Sequence, residues 1–217
     1  MSNNRVKRIV LVGGGGHARS VLAVLKKLPE FSVIGYVDPV DHGKLLGIPY
    51  LGNDRVLNKL LKNHDCHSAV IGIGNVEVSE YRQKVFARLG SLGYEFPVII
   101  SPTAVINDEV KLGAGTVVLD CVVLNTSVRS GKACIFNTGS LVDHDCKLGD
   151  FVHVAPGVVV SGGVKVGRGT LLGTGCRIVQ DVSIVQGCLI GAGAVVIKSI
   201  KKSGTYLGVP AKLAEEK

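Results

Sequence analysis

Two hydrophobic rhythms divide the chain. In the first half, short apolar runs alternate with helical spacings. Residues 8–13 (RIVLVG) form an apolar run that ends in glycine, as a buried parallel strand does. Val21, Val24, Leu25 and Leu28 follow at helical spacing and predict a helix over residues 16–28. Residues 32–38 (SVIGYVD) read as a second strand. Val56, Leu57, Leu60 and Leu61 mark a second helix, with Asn53 as its cap. Residues 69–74 (AVIGIG) form another strand. Val78, Tyr81, Val85, Leu89 and Leu92 hold one face of a third helix, and residues 96–100 close the region. This βαβ series predicts a small parallel sheet, with ligands at the carboxyl ends of its strands.

In the second half the rhythm has a period of six. Counting every sixth residue from Ile106 to Val196 gives sixteen positions, of which fifteen are apolar and only Ser130 breaks the series. Four residues after each lies a second series, Val110, Thr116, Val122 and so on to Ile200, in which every residue is small or β-branched. The phase never slips. A large aliphatic and a small residue therefore point inward at each short strand. Glycines after the first position, as in Leu112-Gly113, Leu148-Gly149 and Ile190-Gly191, are expected to make the corners. The result is a solenoid of stacked coils.

Composition agrees with a narrow interior. Glycine supplies 29 of 217 residues, aromatics only 5%, and tryptophan is absent. Four of the six cysteines, Cys134, Cys146, Cys176 and Cys188, occupy the small inward position, where a thiol behaves as a compact hydrophobe. Without a CxxC, neither disulfides nor zinc are expected. Mean hydropathy is +0.36, yet no apolar run approaches the ~18 residues of a membrane span. The stretch at residues 9–12 is too short for a signal peptide, so a soluble cytoplasmic protein is expected. The net charge of +8 favours anionic small molecules. No dense basic run with interleaved aromatics points to nucleic acid.

The first strand–helix turn, Gly13-Gly14-Gly15-Gly16-His17-Ala18, satisfies G-x-G-x-x-A, and Asp38 ends the second strand. Glycines let a backbone approach a diphosphate, a helix N-terminus offers it free N–H groups, and an acidic residue there accepts from ribose hydroxyls. Half of a dinucleotide fold implies one nucleotide rather than NAD. Within the repeat only His144 and His153 are histidines. His144, between Asp143 and Asp145, falls two residues past an inward position and should face outward. His17 lies in the glycine turn. His42, His64 and His67 fall in polar stretches and read as solvated.

The hexads resemble the left-handed parallel β-helix of the hexapeptide-repeat acyltransferases. Together with the opening glycine turn and the tail Gly208-Val209-Pro210-Ala211-Lys212, they resemble the bacterial sugar acetyltransferases. These are the UDP-4-amino-sugar N-acetyltransferases and their sialic acid O-acetylating relatives. The resemblance implies an α/β N-terminal half with a small Rossmann-like parallel sheet (1–99), a left-handed parallel β-helix (100–202) and a coenzyme-A-contacting tail (203–217). It implies a homotrimer with active sites between subunits. It also implies acetyl-CoA as co-substrate, no metal, and a UDP-linked 4-amino-4,6-dideoxy sugar as acceptor.

Carried onto this chain, the resemblance makes His144 a general base oriented by Asp145. It sets His153 and Gly162 against the acetyl thioester, and Asn137 near the sugar. It assigns Gly13, Gly15, His17 and Asp38 to the nucleotide sugar, and Gly208, Val209, Pro210, Ala211 and Lys212 to coenzyme A. Lys198, Lys201, Lys202 and Lys212 are candidates for the coenzyme's phosphates. Three other readings compete: O-acetylation of sialic acid or a related sugar, a metal-dependent β-helix hydro-lyase, and a non-catalytic scaffold.

Overall fold

A computed structural model describes residues 6–63, 66–74, 78 and 80–214; His64 lies outside them. The chain divides into two compact units, one up to Gly74 together with Tyr81–Pro102, the other from Thr103 onward.

The first unit contains β1 (Lys7–Val12), α1 (Gly16–Leu25), β2 (Phe31–Val37), β3 (Tyr50–Gly52), α2 (Val56–Lys62), β4 (Ser68–Ile71) and α3 (Tyr81–Leu92), then a two-residue strand at Ile99–Ile100. The sheet is parallel in the order β3-β2-β1-β4. This is the strand order of half a doubly wound nucleotide fold. Val10, Val12, Val37, Leu57, Ala69, Ile71 and Leu89 share its core. Several sequence expectations need correction. Arg55, not Asn53, caps α2, and α3 begins at Tyr81, so that Val78 stands outside it; the side chains of Val78 and Tyr81 are both exposed. The first helix ends at Leu25 rather than Leu28, because the Lys27 and Leu28 N–H groups close tight turns on Val24 and Leu25. The strand at 69–74 ends at Ile71, where Gly72 and Gly74 pass under α1; a Cβ on Gly72 would lie 2.9 Å from the Ala18 Cβ. β3 is an element the sequence reading lacked.

The second unit is a parallel β-helix whose strands pair with partners eighteen residues away, as in Ile135 with His153 and His153 with Leu171. One face stacks Val117–Val118, Ile135–Phe136, His153–Val154, Leu171–Leu172 and Leu189–Ile190. A second stacks Val105–Ile106, Val123–Leu124, Leu141–Val142, Val159–Val160, Arg177–Ile178 and Val195–Val196. A third stacks Arg129–Ser130, Lys147–Leu148, Lys165–Val166 and Ser183–Ile184. Both inward series are buried as the six-residue rhythm requires, from Val118 to Val196 in the first apart from Ser130, and from Thr116 to Ile200 in the second.

The corner rule differs from the one expected. Every corner places a residue in the left-handed region three positions after the large inward residue, in unbroken sequence from Glu109 and Gly115 to Gly187 and Gly193. The glycines one position after the inward residue do another job: they let coils touch. A Cβ on Gly149 would lie 2.6 Å from the Arg168 backbone nitrogen. Seven corners carry a non-glycine residue, among them Cys121, Asp145 and Phe151. Such residues hold a conformation that costs of order 1–3 kcal/mol each. Register dictates the backbone there, not the residue.

On the third face the outward row reads Lys111, Arg129, Lys147, Lys165, each directly opposite the next. Among the described residues no carboxylate pairs with any of the four. Like charges directly opposite one another destabilise a sheet by roughly 0.2–1 kcal/mol per pair. Lys147→Glu turns two repulsive pairs into attractive ones. It should raise the melting temperature by roughly 2–4 °C at low salt, and the gain should shrink in ~1 M salt. A lowered melting temperature in both would count against the ladder as a source of strain.

Candidate active site

In the glycine turn, the chain leaves β1 at Gly13, whose φ of +112° lies outside the range that other residues comfortably hold. Gly14 is confined by its neighbours. A Cβ there would lie 2.6 Å from the His42 ring and 3.0 Å from that of Tyr36. Its N–H donates to Asp38 Oδ2 at 2.7 Å. Asp38 Oδ1 accepts from the Val40 N–H at 2.9 Å. Asp38 thus braces the turn, with lone pairs left on both oxygens for a further donor. Tyr36 locks the loop that follows: its hydroxyl donates to the Gly43 carbonyl at 2.8 Å and accepts from the His42 N–H at 2.9 Å.

Gly15 and Gly16 face nothing within 4 Å. No contact in the fold demands glycine at either position, and the backbone there is open to approach. Gly15 caps α1 without a side-chain hydrogen bond, and no acidic residue occupies the first helical turn. That leaves N–H groups and a positive dipole end for an anion. His17, in the same turn, packs against Gly74, where a Cβ would lie 3.2 Å from its own. The sequence reading named Gly13, Gly15, His17 and Asp38. It missed Gly14, Tyr36 and His42, for which a polar loop with one histidine gave little signal.

In the β-helix, His144 sits at the corner between the second and third faces and is exposed. Its Nδ1 lies 2.8 Å from Asp145 Oδ2. Asp145 reaches it because it takes the left-handed corner conformation, φ +60°, which aspartate tolerates better than most residues. One coil on, Gly162 lies under the ring; a Cβ there would be 2.5 Å from His144 Nε2. Any side chain at 162 would push the imidazole away. His144, Asp145 and Gly162 are therefore brought together.

Asp143 completes the corner. Its Oδ1 accepts from the His144 N–H at 2.8 Å and from Asn125 Nδ2 at 2.7 Å. Asn125 Oδ1 accepts in turn from Asn107 Nδ2 at 2.9 Å. The His144 N–H and the Asn125 amide, in that order, hold the Asp143 carboxyl below the usual carboxylate range. The imidazole moves the other way. The Asp145 hydrogen bond, then the charge of Asp143, raise His144 above the ordinary histidine value. An acidic partner stabilises the imidazolium. Its contribution to stability is complete below ~6.5 and is lost as pH rises through the raised value. Asp145→Asn keeps the corner conformation but removes the charge. The NMR titration midpoint of His144 should then move to lower pH; an unmoved midpoint would rule out Asp145 as its partner.

The other expected residues lie elsewhere. His153 is buried, on the first face between Ile135 and Leu171, and within one chain it does not join His144. Asn137 follows the first face at a different corner, where its side-chain oxygen accepts from the Thr138 N–H at 2.8 Å. The tail is a hairpin: Thr205–Leu207 runs beside Leu189–Ile190 and turns back antiparallel through Gly208–Ala211 to Lys212–Leu213. The Ala211 N–H and the Gly208 carbonyl tie the bend to Val195, and Val209 is left exposed. Burial pushes the Cys146 thiol up to about 11 and that of Cys176 to about 12, which keeps both protonated at neutral pH. No described helix is long and apolar enough to cross a membrane.

Residues 8–89 match the PglD N-terminal domain. The whole chain is similar to a histidine-to-asparagine variant of perosamine N-acetyltransferase from Caulobacter crescentus, solved with CoA and GDP-perosamine. They are 34% identical over 97% of this chain and 98% of that one, with a TM-score of 0.91. The acetyltransferase domain of PglB from Neisseria gonorrhoeae FA1090 matches at 29% identity over 96% and 100%, TM-score 0.89. The GDP-perosamine N-acetyltransferase of Escherichia coli O157:H7 is 29% identical over 155 residues, 68% of this chain and 66% of that protein. These likenesses give the β-helix its left hand. The chain belongs to the hexapeptide-repeat sugar acetyltransferase family.

Proposed function

We propose that this protein transfers the acetyl group of acetyl-CoA to the amine of a nucleotide-linked 4-amino-4,6-dideoxy sugar, by direct attack with both substrates bound. The observation that carries the reading is the His144–Asp145 pair held over Gly162 at an exposed corner. The amine attacks the thioester carbonyl, the C–N bond forms, and the C–S bond breaks. His144 takes the amine proton and returns it to the departing thiolate, a role worth roughly 10²–10⁴-fold. It must be neutral to begin, so its raised pKa sets the rising limb of kcat/KM above ~6.5. Gly162 offers a backbone N–H for the developing oxyanion.

The glycine turn takes the nucleotide diphosphate, Gly15 and Gly16 giving the open approach and Asp38 accepting from the ribose. Gly208–Lys212 contacts the coenzyme. His153 and Asn137 serve the thioester and the sugar across contacts between copies in a homotrimer. The relatives named for a substrate act on a GDP-linked sugar, which favours guanosine over the uridine expected from sequence. Purified protein with acetyl-CoA and a panel of GDP-, UDP- and dTDP-linked amino sugars should give one product heavier by one acetyl group, and light scattering should give a trimer. Acetylation of none of the panel would end the reading.

A further inference from the structure

We propose that Asp143 receives the amine of the acceptor and makes the site choose nitrogen over oxygen. The inference rests on the acetyltransferase reading and names the group that its acceptor meets. A groove of about 280 Å³ runs along the second face, lined among others by Val123, Asn125, Leu141, Asp143, Val159 and Ser161. Its polar residues lie one coil apart, Asn125, Asp143 and Ser161. The last two immediately precede His144 and Gly162, so the imidazole and the glycine beneath it stand at the groove's rim. Asp143 is the one charged residue in that lining.

Its geometry is fixed beforehand. Oδ1 is committed to the His144 N–H and to Asn125 Nδ2, and Asn125 is itself held by Asn107. Oδ2 takes no hydrogen bond from any described residue. The same two donors keep the carboxyl ionised. A pinned, ionised carboxylate with one oxygen to spare therefore faces a half-apolar groove beside the proposed base. Asp145 is no part of that lining, and its carboxylate already serves the imidazole through Oδ2.

The chemistry separates two acceptors. When an amine adds to the thioester carbonyl, nitrogen gains positive charge. It keeps that charge until one N–H proton passes to His144, and the proton then leaves on the thiolate sulfur as the C–S bond breaks. A carboxylate accepting another N–H of that nitrogen is attracted more strongly in the transition state than in the ground state, which is the condition for catalysis. A hydroxyl attacks while losing its proton and gaining negative charge, and the same carboxylate opposes it. A neutral acceptor at 143 would keep the fold of the corner and lose this discrimination.

The test uses the full chain, with GDP-perosamine as probe amine and the matching sugar nucleotide carrying a hydroxyl in place of that amine. Wild-type turnover of the amine tests the parent reading by itself. Asp143→Asn should lower kcat/KM for the amine at least about tenfold on each protein's pH plateau. The KM for acetyl-CoA and the inhibition constant of the hydroxyl compound should stay within about twofold. Asp143→Glu, which keeps the charge, should retain more amine activity than the asparagine variant. If that variant folds poorly, Asp143→Ser repeats the measurement. Unchanged kcat/KM, or an equal loss for all three ligands, overturns the proposal while leaving wild-type acetylation intact.

Discussion

His144→Ala should cut acetyl transfer by about 10²–10⁴-fold while the melting temperature stays put. The ring is exposed, and what it touches is polar or glycine: Asp145 on one nitrogen, Gly162 beneath. Its loss leaves no cavity in the core. The lower end of that range is expected for an amine, which is a good nucleophile once neutral. Thiol release from acetyl-CoA, followed with a disulfide reagent, measures the rate. Turnover above a tenth of wild type would remove His144 from the proton path. A large loss of stability would mean that the corner, rather than the reaction, depends on the ring.

The largest effect on stability should come from Phe136→Ala. Phe136 is fully buried and is the only aromatic residue in either inward series. Truncation removes its transfer free energy and leaves a void that neighbouring coils cannot close, because strands on either side hold their registers to Val118 and Val154. Buried Phe→Ala changes cost about 3–5 kcal/mol, which is on the order of 10 °C for a chain of this size. Differential scanning calorimetry decides it. A fall under ~2 °C would show that the interior refills.

What the sequence disclosed, and what it hid, follows from where each constraint originates. The solenoid was legible because its interior admits one residue class at each sixth position, so Val154 and Val160 carry the information themselves. The same count of eighteen that pairs Ile135 with His153 also puts Gly162 under His144 and Asn125 against Asp143. That column of polar residues was in plain view once coil length was used as a ruler. The corners were not legible. Phe151 and Cys121 occupy left-handed backbone, for which neither has any preference. Register imposes it from outside the residue. β3 was missed for a similar reason: Tyr50–Gly52 is too short for alternation to show and exists because Tyr36 and Val37 supply its partners. In the glycine turn, the motif revealed the backbone but not its braces. Tyr36 and His42 act on Gly14 through tertiary approach, which no local pattern encodes.

The eighteen-residue ladder also sets how this protein can change length. Each strand bonds to the coil before and the coil after, and every corner sits at a fixed offset from the residue it follows. Deleting one residue would turn valines to solvent and charges to the interior in everything downstream. Removing or duplicating a complete circuit preserves each neighbour relation. Natural variation within this half should therefore be quantised, with gains and losses arriving as whole storeys, while shorter insertions survive only where they bulge from a corner.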